Sequence, residues 1–278
     1  MFGLARPDGG KDLHVTGTML TDVGLVRGHN EDSVAYLKRT PAGGGMLAVI
    51  ADGMGGHNAG EVASAIAVDT ILDVYADRPG DPAEMLAAAF AAANRAIFDR
   101  SQDDPACRGM GTTCTVIAVE GDAAFLGHIG DSRAYLLRDG ALRQLTTDHS
   151  LVNQMFAAGL LTAGEMAGHP DRNIIVKALG TNATAEPDIW REPRRLKDGD
   201  VLMLCSDGLV DLVDDGAIAR LLAESPPSRA CAALRDAALA AGGHDNVSVG
   251  VFIVSAEPPP DDPARTTRPM RIPGAGMP

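Results

Sequence analysis

Two apolar stretches of this chain run directly into an aspartate followed by glycine. Leu47-Ala48-Val49-Ile50-Ala51 ends on Asp52-Gly53, and Val201-Leu202-Met203-Leu204-Cys205 ends on Ser206-Asp207-Gly208. Short apolar runs closed by turn residues have the pattern of buried strands. A carboxylate at the end of a core strand is costly unless something cationic meets it. Two further aspartates share the setting. Asp131 sits in the turn Gly130-Asp131-Ser132 between two apolar runs, and Asp245 precedes the run Val247–Val254. The nearby glycines keep bulk away and let backbone carbonyls approach a ligand. One Asp-Gly alone reads first as a turn. Four at strand termini predict a common rim, provided the strands join shared sheets. Carboxylates gathered there repel one another, so the arrangement calls for divalent cations. An all-oxygen donor set favours magnesium, manganese or calcium over zinc or copper.

With 278 residues, 45% of them apolar, the chain can bury a large single core. Only 4% are aromatic, so that core is expected to pack small aliphatic side chains. A formal net charge of −13 argues against general nucleic-acid or anionic-membrane binding. Cys107, Cys114, Cys205 and Cys231 form no C-x-x-C pair, which disfavours structural zinc and a disulfide framework. No run approaches the roughly 18 apolar residues of a membrane span, and the first residues lack an apolar signal core. These features predict a cytoplasmic protein. Residues 1–12 read as a flexible lead-in, 13–256 as one domain, and 257–278 as a disordered tail rich in proline and charge.

Within the domain, strands are expected at 46–50, 111–119, 201–205 and 247–254, and helices at 61–75, 83–100, 216–224 and 228–241. Between them the pattern predicts an antiparallel meander: AAFLGHIG, a turn at 130–132, RAYLLR, an Asp139-Gly140 turn and ALRQLT. Hairpin strands with helices set apart give an α+β class with antiparallel sheets.

Ahead of these elements lies Thr21-Asp22-Val23-Gly24-Leu25-Val26-Arg27-Gly28-His29-Asn30-Glu31-Asp32-Ser33. An arginine beside a metal centre suits a phosphate dianion, which its planar fork can bind bidentately. The bland alternative is a surface ion pair of Arg27 with Glu31. Together TDVGLVRGHNEDS, VIADGMGGHNAGEVAS, GMGTTCTVIAV, HIGDSRAYLLRDGALRQLTTDHS, HPDRNIIVKALG, LCSDGLVD and GGHDNVSVGVF resemble the metal-dependent protein phosphatases of the protein phosphatase 2C type, in their bacterial form. The resemblance spans nearly all of 17–254 and is specific in combination, although each piece alone is weak.

That resemblance implies a four-layer α-β-β-α sandwich of two antiparallel β-sheets flanked by helices. It implies that Asp52 bridges two Mg2+ or Mn2+ ions, that the Gly53 carbonyl binds one, and that Asp207 and Asp245 complete the second. Asp131 with Asp207 corresponds to a third, weaker ion position. Glu31 and Asp32 orient water around the ions, and Arg27 grips the phosphate. The implied reaction is attack on phosphoserine or phosphothreonine by a water activated between two metals, without a covalent phosphoenzyme. The partners implied are phosphorylated proteins, including Ser/Thr kinases and their substrates, met by a monomer.

One departure stands out. Where some relatives carry a histidine directly after Asp-Gly to protonate the leaving group, this chain has Met54, with His57 three residues on as the candidate acid. His128, His149 and His169 read as structural. Residues 151–180 match the family's variable flap, expected to contribute substrate contacts. The competing reading is a catalytically inactive scaffold of the same fold that binds phosphoproteins or a kinase. The presence of Asp52, Asp207, Asp245 and Arg27 together weighs against it. No cysteine stands six residues before an arginine, and no G-x-x-x-x-G-K-[ST] occurs, so cysteine-phosphatase and P-loop chemistry lack support.

Overall fold

The structure, a computed structural model, describes residues 13–38, 45–55, 59–77, 80–166, 168–258 and 270–272. The chain opens with strands β1 (His14–Asp22), β2 (Asp32–Lys38) and β3 (Gly45–Met54), then helices α1 (Ala59–Asp77) and α2 (Pro82–Asp103). Strands β4 (Gly111–Thr112), β5 (Cys114–Glu120), β6 (Ala123–Ile129), β7 (Arg133–Arg138) and β8 (Ala141–Gln144) follow. Short helices α3 (Leu151–Ala157) and α4 (Ala163–Met166) lead to β9 (Asp188–Ile189), β10 (Arg194–Arg195) and β11 (Val201–Cys205). The chain then forms α5 (Asp207–Val210), α6 (Asp215–Glu224), α7 (Pro227–Ala240), β12 (Val247–Ser255) and β13 (Met270–Ile272).

Two sheets result, and every strand pairing in them is antiparallel. The smaller runs β1-β12-β11-β7-β8 and the larger β10-β6-β5-β3-β2-β13, with β4 on β3 and β9 on β6. Side chains alternate across a strand, and β3 uses both faces. Leu47, Val49 and Ala51 pack beneath Ile71, Leu72, Leu86 and Phe90 of α1 and α2. Met46, Ala48 and Ile50 turn the other way, against Leu202, Leu204 and Phe252 of the smaller sheet. On β11, Val201, Met203 and Cys205 lie under Ile218, Leu222 and Leu234 of α6 and α7. Continuous apolar runs are therefore required where each sheet is covered by helices outside and a sheet inside. This is the four-layer α-β-β-α sandwich that the resemblance implied.

Most expected elements appear with extended ends. The strand at 46–50 grows to β3, so Asp52 and Gly53 lie within it. The stretch 111–119 is broken at Thr113 into β4 and β5. One expectation fails instructively. The Asp139-Gly140 turn does close a β7–β8 hairpin, but 130–132 does not close one. β6 belongs to the larger sheet and β7 to the smaller, so this turn crosses between sheets. Gly130 makes the change of direction with φ 107°, and a Cβ there would stand 2.5 Å from Thr113 Cβ.

Residues 1–12 lie outside the described residues, as does most of 257–278. Within that tail, β13 pairs with β2, against the expectation of an unstructured segment. Among the described residues no helix is long and apolar enough to cross a membrane. All four cysteines are free and buried.

Candidate metal centre

Register brings the first two carboxylates together. Asp32 of β2 stands directly opposite Asp52 of β3. Both share the parity of residues facing the seam between the sheets, Val34 and Tyr36 on β2 and Ile50 and Ala48 on β3. The smaller sheet contributes at the same end. β11 and β12 are adjacent and antiparallel, so Asp207, just past β11, and Asp245, just before β12, leave the sheet side by side. The crossing turn adds Asp131. Asp207 is not in a turn as expected; it opens the four-residue α5.

The cluster is visible electrostatically. Burial raises the Asp52 carboxyl well above the usual value, and Asp32, Asp207, Asp131 and Asp245 raise it further. Burial likewise raises Asp32, with Asp207 and Asp245 adding to it. Asp131 and Asp207 are also raised, burial again leading, followed by Asp207 for the first and Asp245 for the second. The proximity of the Asp52 carboxyl opposes the rise at Asp207. Burial raises Glu31, while Arg27 and a hydrogen bond from the Gly60 backbone oppose the rise.

The donor set fits divalent cations. Asp32 and Asp131 are buried, and Asp32 Oδ1, Asp131 Oδ1 and Asp207 Oδ1 have no hydrogen-bond partner among the described residues. Buried oxygens without partners are costly, and hard cations are their natural complement. Among the described residues no three His, Cys, Asp or Glu side chains form a ready-made ligand cage. The carboxylates stand within electrostatic reach of one another.

Arg27 does not pair with Glu31 as the bland reading had it. Its Nη2 donates to Asp245 Oδ2 at 2.8 Å, and its side chain stays half-exposed. Gly53 lies where the backbones of β3 and α1 nearly touch. A Cβ there would fall 2.0 Å from Gly60 O and 2.7 Å from Glu31 O, and Gly53 N–H donates to Glu31 O at 3.0 Å. His57 lies outside the described residues.

Several supporting residues carried no recognisable signal beforehand. Ser206 Oγ donates to Asp32 Oδ2 at 2.8 Å and accepts from Ser248 N–H at 3.0 Å, pinning Asp32 across the seam. Asn246 Oδ1 accepts from Glu31 N–H at 2.8 Å, and its Nδ2 donates to Val23 O and His29 O at 2.9 and 3.0 Å. One amide thus fastens the whole 23–31 loop that carries Arg27. Thr113 Oγ1 accepts from Asp52 N–H at 2.9 Å and bonds Ser132 Oγ at 2.7 Å, joining β3 to the crossing turn. Their only advance trace was adjacency to the acidic motifs.

Residues 26–240 match the protein phosphatase 2C family. The serine/threonine protein phosphatase PstP of Mycobacterium tuberculosis is 43% identical over 232 residues, 83% of this chain and 43% of that protein, so the chain spans less than half its length. Protein phosphatase PhpP of Streptococcus pneumoniae is 38% identical over 246 residues, 86% of this chain and 98% of that protein. The crystal structure of the PstP catalytic domain in complex with two manganese ions superposes with a TM-score of 0.77 at 39% identity, covering 87% of this chain and 99% of that one.

Proposed function

The chain belongs to the protein phosphatase 2C family, and we propose that it is a serine/threonine protein phosphatase dependent on Mg2+ or Mn2+. The observation that carries this reading is the carboxylate cluster in the seam, with its buried unpartnered oxygens. Asp52, Asp207, Asp245 and the Gly53 carbonyl would hold two ions, and Asp131 with Asp207 a third. When bound, such ions supply Lewis acidity toward phosphoryl oxygens and a water of lowered pKa. The protein's own groups do the rest. Arg27, freed from Asp245, turns its fork to the phosphate and orients the seryl or threonyl oxygen away from the attacking side. Asn246 limits how far the Arg27 loop can swing. Ser206 keeps Asp32 aimed into the site, and Glu31, held by Gly60, contributes a fixed acceptor for ordered water.

Phosphorylated proteins are the substrates this reading assigns, including Ser/Thr kinases and their targets, met in the cytoplasm by a monomer whose catalytic domain is 13–256. The printed names of PstP and PhpP support the substrate class. The test is hydrolysis of phosphoserine, phosphothreonine and phosphotyrosine peptides with Mn2+ and with chelator. Turnover should require the metal and favour the first two. Asp52→Asn, Asp207→Asn and Asp245→Asn should each abolish it while melting no lower than the metal-free parent, because each removes a repelling charge. Near-parental turnover in all three would refute the assignment.

A further inference from the structure

His149 lies between β8 and α3, eighteen residues after Asp131, and it grips the residue before Asp131 at two points. Its backbone N–H donates to Gly130 O at 2.7 Å, and its ring Nδ1 accepts from Gly130 N–H at 3.1 Å. The same residue faces the flap: its carbonyl accepts from Val176 N–H at 2.8 Å, and Ser150 bridges Ile175 beside it. Nε2 lies 3.4 Å from Asp188 Oδ2 on β9, and the ring stacks on that of buried His128, centroids 4.9 Å apart.

These contacts choose a tautomer. A backbone N–H can only donate, so Nδ1 must be bare and Nε2 must carry the proton, aimed at Asp188. Burial pushes the ring's pKa below the ordinary value, against the pull of Asp188 and with the help of Lys177; Asp148 is the remaining nearby charge. The neutral form is therefore favoured.

We propose that His149 is a positioning residue for ion capture at Asp131, and that it links the Gly130–Asp131 turn to the 174–176 segment of the flap. The turn crosses between sheets and has no hairpin partner to set its height. Gly130, at φ 107°, has the backbone freedom to let Asp131 drift. The two bonds to His149 remove that freedom, and Thr113 packs close against Gly130 as well. The inference rests on Asp131 being an ion ligand, so its test must separate the clamp from that assignment.

Asparagine places its amide oxygen where Nδ1 stands, whereas glutamine reaches toward the Nε2 position. In the metal-free protein, 15N spectroscopy should show the His149 Nδ1 bare; a protonated Nδ1 overturns the proposal without reference to any metal. The Gly130 amide resonance should stay in place in His149→Asn and move in His149→Gln. Calorimetric Mn2+ titration should leave the weakest site within about twofold of the parent in His149→Asn. In His149→Gln its Kd should rise about tenfold, as for other groups that orient metal ligands. Equal Mn2+ binding by both variants, or equal loss in both, overturns the proposal, since the latter signals packing alone. Should His149→Gln fail to fold, Asp188→Asn at an exposed position serves instead, with a shift of ring protonation toward Nδ1 and a weaker Mn2+ site expected. An unchanged Mn2+ titration in Asp131→Asn would instead remove the ligand assignment, leaving the clamp judged by the Gly130 resonance.

Discussion

Asp52 and Asp32 illustrate how much one residue's register decides. Asp32 opens β2 and Asp52 stands opposite it near the end of β3, each on the parity that faces the seam, where the apolar pattern would have placed an aliphatic. Burial and neighbouring carboxylates raise the pKa of both, and this has a measurable sign. Carboxyl groups raised in the folded state bind more protons folded than unfolded above about pH 4. Asp131, for example, is pushed up to about 8. The metal-free protein should therefore lose stability as pH rises through that window. Mn2+ competes with those protons, so the stabilisation it confers should grow as pH rises. His128 acts in the other sense: burial pushes it down to about 4, so its contribution is full above about 6.5 and lost as pH falls toward 4. Melting curves at several pH values between 5 and 8, with and without Mn2+, should show a Mn2+-induced shift that widens with pH. A shift independent of pH would mean that the cluster binds no exchangeable protons.

The strands and helices that carry these residues were the legible part. Continuous apolar runs at β3, β5 and β11 announced buried strands, and the stripes of α1 and α2 announced their covered faces. What the pattern does not encode is which sheet a strand joins. The runs either side of Gly130-Asp131-Ser132 look like a hairpin because a short glycine-bearing turn joins two apolar runs. Only tertiary packing sends β6 and β7 to different sheets. The acidic motifs were legible because they break apolar runs, whereas Ser206, Asn246 and Thr113 were not, since a hydroxyl or amide beside a turn is ordinary chemistry. The meeting of β3 with α1 gives the sharpest test among the elements. Any side chain at Gly53 must displace the Gly60 backbone, which cannot rotate aside as a side chain would. Gly53→Ala should cost about 1–3 kcal/mol, roughly 2–4 °C in melting midpoint per kcal/mol, and should abolish Mn2+ protection. An unaltered midpoint would show that α1 is free to slide.

Charge belongs to no single element. The chain holds 37 acidic against 24 basic residues, and the cluster in the seam concentrates part of that excess at the mouth where a substrate must arrive. Two divalent ions offset the cluster itself but leave the remaining acidic surface. Arg27 beside the site, and Arg172 and Lys177 on the flap, are basic groups nearby. A phosphopeptide is itself an anion, so its approach is opposed by the field except where its neighbours are basic. Phosphopeptides flanked by Lys or Arg should therefore show a higher kcat/KM than those flanked by Asp or Glu, by about tenfold at low salt. The advantage should shrink as the Debye length falls from about 30 Å at 0.01 M to about 8 Å at 0.15 M. Salt distinguishes this long-range effect from local recognition: a pocket that grips a basic side chain in contact keeps most of its preference at 0.15 M. Measuring kcat/KM for the two peptides at both ionic strengths decides the matter, and a ratio unchanged by salt, or reversed, would show that the net charge of −13 plays no part in substrate choice.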